Sequence, residues 1–288
     1  MVIIMVIDIH THFVNAADFG AQVYGDLARS GIPHETWAYS EEDYIAGTSA
    51  ADKAIVFGLK AQKTGWNTKN ETVSGFVSRH SGKYIYFASI DPYQDGYAQD
   101  LEYNHAVLKC KGVKIGPIYQ GVHPCDKKYY EIYDYCEHHS LPVITHMATT
   151  FSSGVPIDYA RPYHMDKVAC DFPKLKIVLA HLGHPWEPET IAIIRRNENV
   201  YADISALYYR PWQFYNAMRL ACEYKCCHKL LFGSDFPATT TGDSIKGLRN
   251  INCIIKGSGL PAIPEEATEG IIHRDSLKIL FNDGLRAQ

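Results

Sequence analysis

The chain predicts an α/β fold: a closed (β/α)8 TIM barrel with a loop or cap insertion after its first strand. Three observations carry that expectation. Eight short apolar, β-branched runs recur along the 288 residues. They begin roughly 25–45 residues apart, the spacing of βα units joined by crossover helices. They are also continuously apolar rather than alternating, as parallel strands covered on their outer face are. Eight such units favour closure over an open doubly wound sheet.

Strands are expected at Ile3–Asp8, Lys53–Phe57, Tyr84–Ile90, Gly112–Ile115, Pro142–Thr145, Lys176–Ala180, Val200–Ile204 and Lys229–Gly233. Helical periodicity separates them, clearest over Asp126–His139 and Met165–Phe172. Ser40-Glu41-Glu42-Asp43 reads as a capping box. Pro188-Glu189 and Pro211-Trp212 place proline in a first helical turn. Two closing helices follow the eighth strand, Pro264–Ile272 and Arg274–Phe281. The stretch Phe13–Asp52 exceeds the needs of one helix, so part of it is read as a cap over the active-site mouth. With no repeat or linker in view, residues 1–288 are taken as one domain.

Composition narrows the function. A hydrophobic share of 46% against 21% charged excludes disorder and coiled coil. A formal charge of −4 leaves no basic field for a nucleic acid. No apolar run approaches the roughly 20 residues that span a bilayer. The opening MVIIMVIDIH lacks a positive flank and runs into His10, so it is not read as a signal peptide. Eight cysteines without such a signal suit reduced thiols in a cytoplasm. Cys222, Cys226, Cys227 and His228 lack a second Cys/His pair and are read as buried free thiols rather than a zinc site.

The histidines, 14 in all, are informative by position. His10 and His12 end the first strand two apart, a spacing that puts both imidazoles on one face. His146 ends the fifth strand, His181 the sixth and Asp235 the eighth, all at one rim of a barrel. A single histidine at a strand end is ordinarily a satisfied polar group. Here the set carries the expectation of a metal centre. Imidazoles with one carboxylate suit Zn2+, with Mn2+, Fe2+, Co2+ or Ni2+ as alternatives, and leave a position for water.

His10-Thr11-His12, His146, His181-Leu182-Gly183-His184 and Gly233-Ser234-Asp235-Phe236-Pro237 resemble the amidohydrolase superfamily, in the branch that includes aminocarboxymuconate semialdehyde decarboxylase-like enzymes. The resemblance runs from Ile7 to about Phe281. It implies that His10, His12, His146 and Asp235 ligate one divalent metal, usually Zn2+, and that His181 acts on substrate and water. Decarboxylases of the resorcylate type often replace the first two histidines. This chain keeps both, which leaves a hydrolase reading open. Relatives are often dimers or tetramers, so the resemblance also implies a homo-oligomer.

Lys114 ends the fourth strand. In binuclear relatives the matching lysine is carboxylated and bridges two ions. The competing readings are an ammonium that anchors a substrate anion and a lysine that reaches outward. Arg161 and Arg210 fall in loops after the fifth and seventh strands, where they either grip a carboxylate or lie at the surface. Tyr119 and Trp186 could line the pocket or simply pack. Asp203 could orient a metal-bound histidine, and Asp8 could support the His pair from a deeper layer. The expected reaction is hydrolysis of a small carboxylate-bearing lactone, amide or acyl compound, with Asp235 moving the proton and His181 stabilising the oxyanion. A carboxy-lyase or hydratase on the same centre is the alternative. A non-catalytic binding protein is the remote one.

Overall fold

The computed structural model describes residues 5–31, 37 and 39–281. Eight strands form the wall: β1 (Ile7–His12), β2 (Lys53–Phe57), β3 (in two pieces, Tyr84–Tyr86 and Ala88–Ser89), β4 (Val113–Ile115), β5 (Val143–His146), β6 (Ile177–Ala180), β7 (Val200–Asp203) and β8 (Leu230–Leu231). Each pairs in parallel with its neighbour in sequence, from β1 through to β8. At the break in β3, Phe87 donates its N–H to Val56 on one side while Ala88 donates to Gly112 on the other, so the wall stays continuous. The seam between β8 and β1 is closed by main-chain bonds from Ile9 to Phe232 (3.0 Å), Asp235 to His10 (2.8 Å) and His12 to Phe236 (2.9 Å). This is the TIM barrel that the sequence predicts, and closure leaves no sheet edge to protect.

Ile7, Ile9, Ile55, Phe57, Ile85, Phe87, Ile144, Val178, Ala180 and Leu231 meet in one buried cluster. Outward faces of a ring cannot touch across it, so these residues fill the interior. Leu277 and Leu280, from the last helix Ser276–Phe281, join the cluster and plug the barrel floor. The alternate residues, among them Val56, Val143, Ile177, Leu179 and Ala202, pack outward with the surrounding helices. The two apolar faces explain why the strands read as continuous runs rather than alternating ones.

Three strands depart from expectation by more than a one-residue shift of an end, while β4, β5, β6 and β7 shift by one residue. β1 runs to His12 because its ladder with β2 continues to the pair His12–Phe57; its expected start, Ile3, lies outside the described residues. The third strand is split rather than continuous. β8 is shortened because after Leu231 the chain turns from β7 towards β1. The local helix signals hold. Asp126 caps Lys127–His138, and Ser40 with Asp43 forms the capping box of Glu41–Gly47. The insertion after β1 carries the helices Ala21–Arg29 and Glu41–Gly47, while its residues 32–36 and 38 lie outside the described set. No described helix is long and apolar enough to cross a membrane.

Candidate metal centre

The ladder between β1 and β2 is irregular between Asp8 and Thr11. Ile7 and Ile9 face the interior below this point; above it, His10 and His12 turn together into the mouth. Their Nε2 atoms are 3.2 Å apart. Asp235 Oδ1 lies 3.3 Å from His10 Nε2 and 3.4 Å from His12 Nε2. The three donor atoms thus fall within 4.8 Å of one another. Glycine is required beside them, since a Cβ on Gly233 would meet that of His10 at 2.8 Å. Asp235 itself has φ 64° and His181 φ 60°. Such left-handed backbone at a non-glycine residue costs about 1–3 kcal/mol and persists only where its surroundings impose it.

Asp203, at the end of β7, organises the rings. Its Oδ2 accepts from His10 Nδ1 at 2.8 Å, and its Oδ1 accepts from the main-chain N–H groups of His181 and Ser205, each at 3.0 Å. The Ser205 hydroxyl also bonds that oxygen and lies 2.8 Å from His181 Nδ1. A carboxylate can only accept, so the hydroxyl donates to Asp203 and accepts from His181. Both His10 and His181 therefore carry their proton on Nδ1 and present a bare Nε2 to the mouth. This is the partner role that the sequence allowed for Asp203.

His146 is fixed the other way round. Its Nε2 lies 3.0 Å from the carbonyl oxygen of Ala148, which only accepts, so the proton sits on Nε2. The bare Nδ1 then faces His181 Nε2 at 3.0 Å. Burial, reinforced by the Lys114 ammonium, pushes both rings well below the usual imidazole range and keeps them neutral. Two lone pairs meeting in a buried site repel unless a cation lies between them. His146 is accordingly placed against His181 rather than within the His10–His12–Asp235 group.

Lys114 does not reach outward, which corrects that reading: β4 delivers it into the ring, almost fully buried. Its Nζ lies 3.3 Å from His10 Nε2 and 4.7 Å above the Phe57 ring. Burial pushes its pKa down to about 8, with Asp203 and Asp235 opposing the shift. Asp8 supports the site through the main chain rather than through a ring. It accepts from the N–H of Ser234 (3.0 Å) and of His10 (3.2 Å) and from the Thr241 hydroxyl (2.7 Å).

A cavity of about 550 Å³ opens above these groups. Its floor includes His12, Lys114, His146, His181 and Asp235, and its wall Trp37, Trp66, Tyr119, Phe151 and Tyr209. Arg210 lines it, held by an Nη1 bond of 2.6 Å to the Ala206 carbonyl and lying 4.5 Å over the Tyr209 ring. His184 lines it too, pushed down to about 4 by burial and by Arg210. Arg161 and Trp186 do not line this cavity. Arg161 is taken up by Glu189, and its guanidinium sits 5.9 Å from the Trp186 ring. A rim position shows that a loop is near the site, but not that a neighbouring carboxylate will turn the side chain aside.

Sequence reasoning also missed Ser205, Trp37, Trp66 and Phe151. The Asp203-x-Ser205 spacing was a usable signal, because a hydroxyl two residues after a strand-end carboxylate can share its hydrogen bonds. Trp66 sits on the short hairpin Lys60–Ala61/Trp66–Asn67, which no apolar run announces.

Fold and centre together define a TIM barrel whose mouth gathers histidines, two carboxylates and a buried lysine. The chain belongs to the amidohydrolase family, an enzyme family whose model (Amidohydro_2) matches residues 7–280. No curated protein matches the chain. Among solved structures it is similar to an uncharacterised TIM-barrel protein from Bordetella bronchiseptica, with 21% identity and a TM-score of 0.72 over 96% of this chain and 98% of that one. It is also similar to a probable 2-pyrone-4,6-dicarboxylic acid hydrolase from Acinetobacter baumannii, solved with citric acid bound (14%, TM-score 0.62, 96% and 99%). A third is a dihydroxybenzoic acid decarboxylase from a Polaromonas species, solved with manganese and 2-nitroresorcinol (14%, TM-score 0.63, 96% and 97%).

Proposed function

We propose that this chain is a metal-dependent hydrolase of a small carboxylate-bearing lactone, amide or acyl compound. The observation that supports it most is the convergence of His10, His12 and Asp235 at the floor of a cavity of about 550 Å³. The donor chemistry fits a divalent cation: at least one bare imidazole nitrogen and a carboxylate oxygen, with His10 held by Asp203. His10, His12 and Asp235 would hold the ion, with His146 as fourth ligand when a single ion binds. Zn2+ is the first choice, and Mn2+ fits the same donors. Bound there, the ion supplies Lewis acidity and a lowered pKa for water.

The chain's own groups do the rest. The Asp235 carboxylate takes the proton of the attacking water and returns it to the leaving group. His181 Nε2 is bare at rest, so it takes up a proton before it donates to the developing oxyanion. Lys114 and Arg210 hold the substrate's carboxylate, so the reacting carbonyl lies over the floor. Residues 1–288 act as one catalytic domain, in a cytoplasm.

Two observations favour further readings. The aromatic wall of Trp37, Trp66, Tyr119, Phe151 and Tyr209 suits a planar ring, and with it a carboxy-lyase acting on an aromatic acid. The facing nitrogens of His146 and His181 suit a second cation, which they would hold together with a carboxylated Lys114. One experiment separates the reactions. The metal-loaded protein is offered pyrone lactones and hydroxybenzoates in oxygen-labelled water. Label in a new carboxylate with no carbon dioxide supports the hydrolase; carbon dioxide without label supports the carboxy-lyase. A gently purified protein that binds no divalent ion defeats both.

A further inference from the structure

All eight cysteines are free thiols, and two of them touch. Cys222 lies in the last turn of the helix Pro211–Glu223, and Cys227 opens the turn Cys227–Lys229 that leads into β8. Between them the chain reverses through Lys225, which has φ 56°. The reversal brings the two Sγ atoms to 3.1 Å. Cys226, although adjacent to Cys227, is directed elsewhere: its Sγ contacts the Ala221 carbonyl at 3.5 Å and is buried. Cys222 and Cys227 are only half-buried. A disulfide needs its sulfurs about 2.05 Å apart, so this pair has about 1 Å left to close.

We propose that Cys222 and Cys227 form a redox-active dithiol, closed to a disulfide by exchange with a small-molecule disulfide of the glutathione type. The two sulfurs have different roles. The Cys227 thiol donates towards Cys222, and Arg219 lies close by; together they bring Cys222 down to about 7 against the opposing effect of burial. Cys227 is pushed up by the same bond and by burial. Exchange is fastest for an attacking thiol whose pKa is near ambient pH, which makes Cys222 the first nucleophile.

Its thiolate attacks one sulfur of oxidised glutathione, forming a mixed disulfide and expelling one glutathione thiolate, which takes up a proton. Cys227 then loses its proton and attacks the Cys222 sulfur, expelling the second glutathione. The protein gives up two electrons and two protons, and the small disulfide becomes two thiols. The pair lies where the chain enters β8, at the opposite end of the barrel from the cavity, so the inference does not rest on the metal reading.

The test uses the full chain, metal-loaded, incubated with oxidised glutathione, then alkylated and cut with trypsin without reduction. Cleavage after Lys225 separates Leu220–Lys225 from Cys226–Lys229, so only a disulfide keeps them joined. The joined peptides are expected in the wild type and in Cys226→Ser. In Cys227→Ser they are expected to be absent, with one glutathione retained on Cys222. Joined peptides that persist in Cys227→Ser but vanish in Cys226→Ser would overturn the assignment. So would glutathione found on the exposed Cys170 and Cys253 with no joined peptides in the wild type.

Discussion

The two sides of the barrel mouth are built from the same residue type and end in different states. On the β1–β7–β8 side, the bare nitrogen of His10 has the Asp235 carboxylate 3.3 Å away, and Asp203 fixes the ring from behind. On the β5–β6 side, His146 and His181 turn bare nitrogens towards each other at 3.0 Å. One side already carries the negative charge that a cation needs. The other is two neutral donors: the Lys114 cation disfavours a proton on either ring, and Asp203 opposes it only at His181. The contrast teaches that a histidine's proton, set by what its far nitrogen touches, decides which side seats an ion first.

Breaking the anionic side should have the largest effect. Asp235→Asn is expected to cut turnover by about 100- to 10,000-fold, the range for a lost general acid–base group. Metal content measured alongside separates the proton role from ligation. Near-normal turnover would remove Asp235 from the chemistry. Asp203→Asn is the next step down. It leaves the His10 proton poorly matched and loosens Ser205 and His181, so metal affinity should fall about 10- to 100-fold, as for lost partners of metal ligands. A competitive chelator titration reads this directly, and unchanged affinity would show that His10 needs no support.

How much of this was legible follows from the same contrast. Strand ends advertise themselves, because an apolar run that stops at His or Asp is visible in one dimension. Hence His10, His12, His146, His181 and Asp235 could be found, with the barrel that gathers them. What a ring's second nitrogen touches is set by loop backbone, here the Ala148 carbonyl and the Ser205 hydroxyl. No spacing encodes that, so His146 could be placed at the mouth but not paired with His181. The irregularity in β1 was hidden for a similar reason. Strict alternation would set Asp8 beneath His10 on the same face, whereas the shifted register gives Asp8 to Ser234 and Thr241. Arg161 failed on competition alone, since Glu189 reached it first.

The smallest expected effect concerns the metal-free protein and pH. Unfolded imidazoles titrate near ~6.5. His10, His146 and His181 are held well below this in the fold, and His184 at about 4. Between those values the unfolded chain binds more protons than the native one, so stability rises with pH and is lost on acidification below ~6.5. Asp8 and Asp91 work against this: both are pushed up to about 6 by burial, so the native state holds their protons longer, and stability falls as pH rises from ~4 to 6. The imidazoles held down, His10, His12, His146, His181 and His184, outnumber the carboxyls pushed up to about 6. The melting temperature of the metal-free protein is therefore expected to drop by several degrees from pH 7 to pH 5. His146→Gln should flatten that slope by removing one of two facing rings that resist protonation. A melting temperature that holds or climbs on acidification would mean that the two lone pairs already share a proton at neutral pH, and the case for a cation between them would go with it.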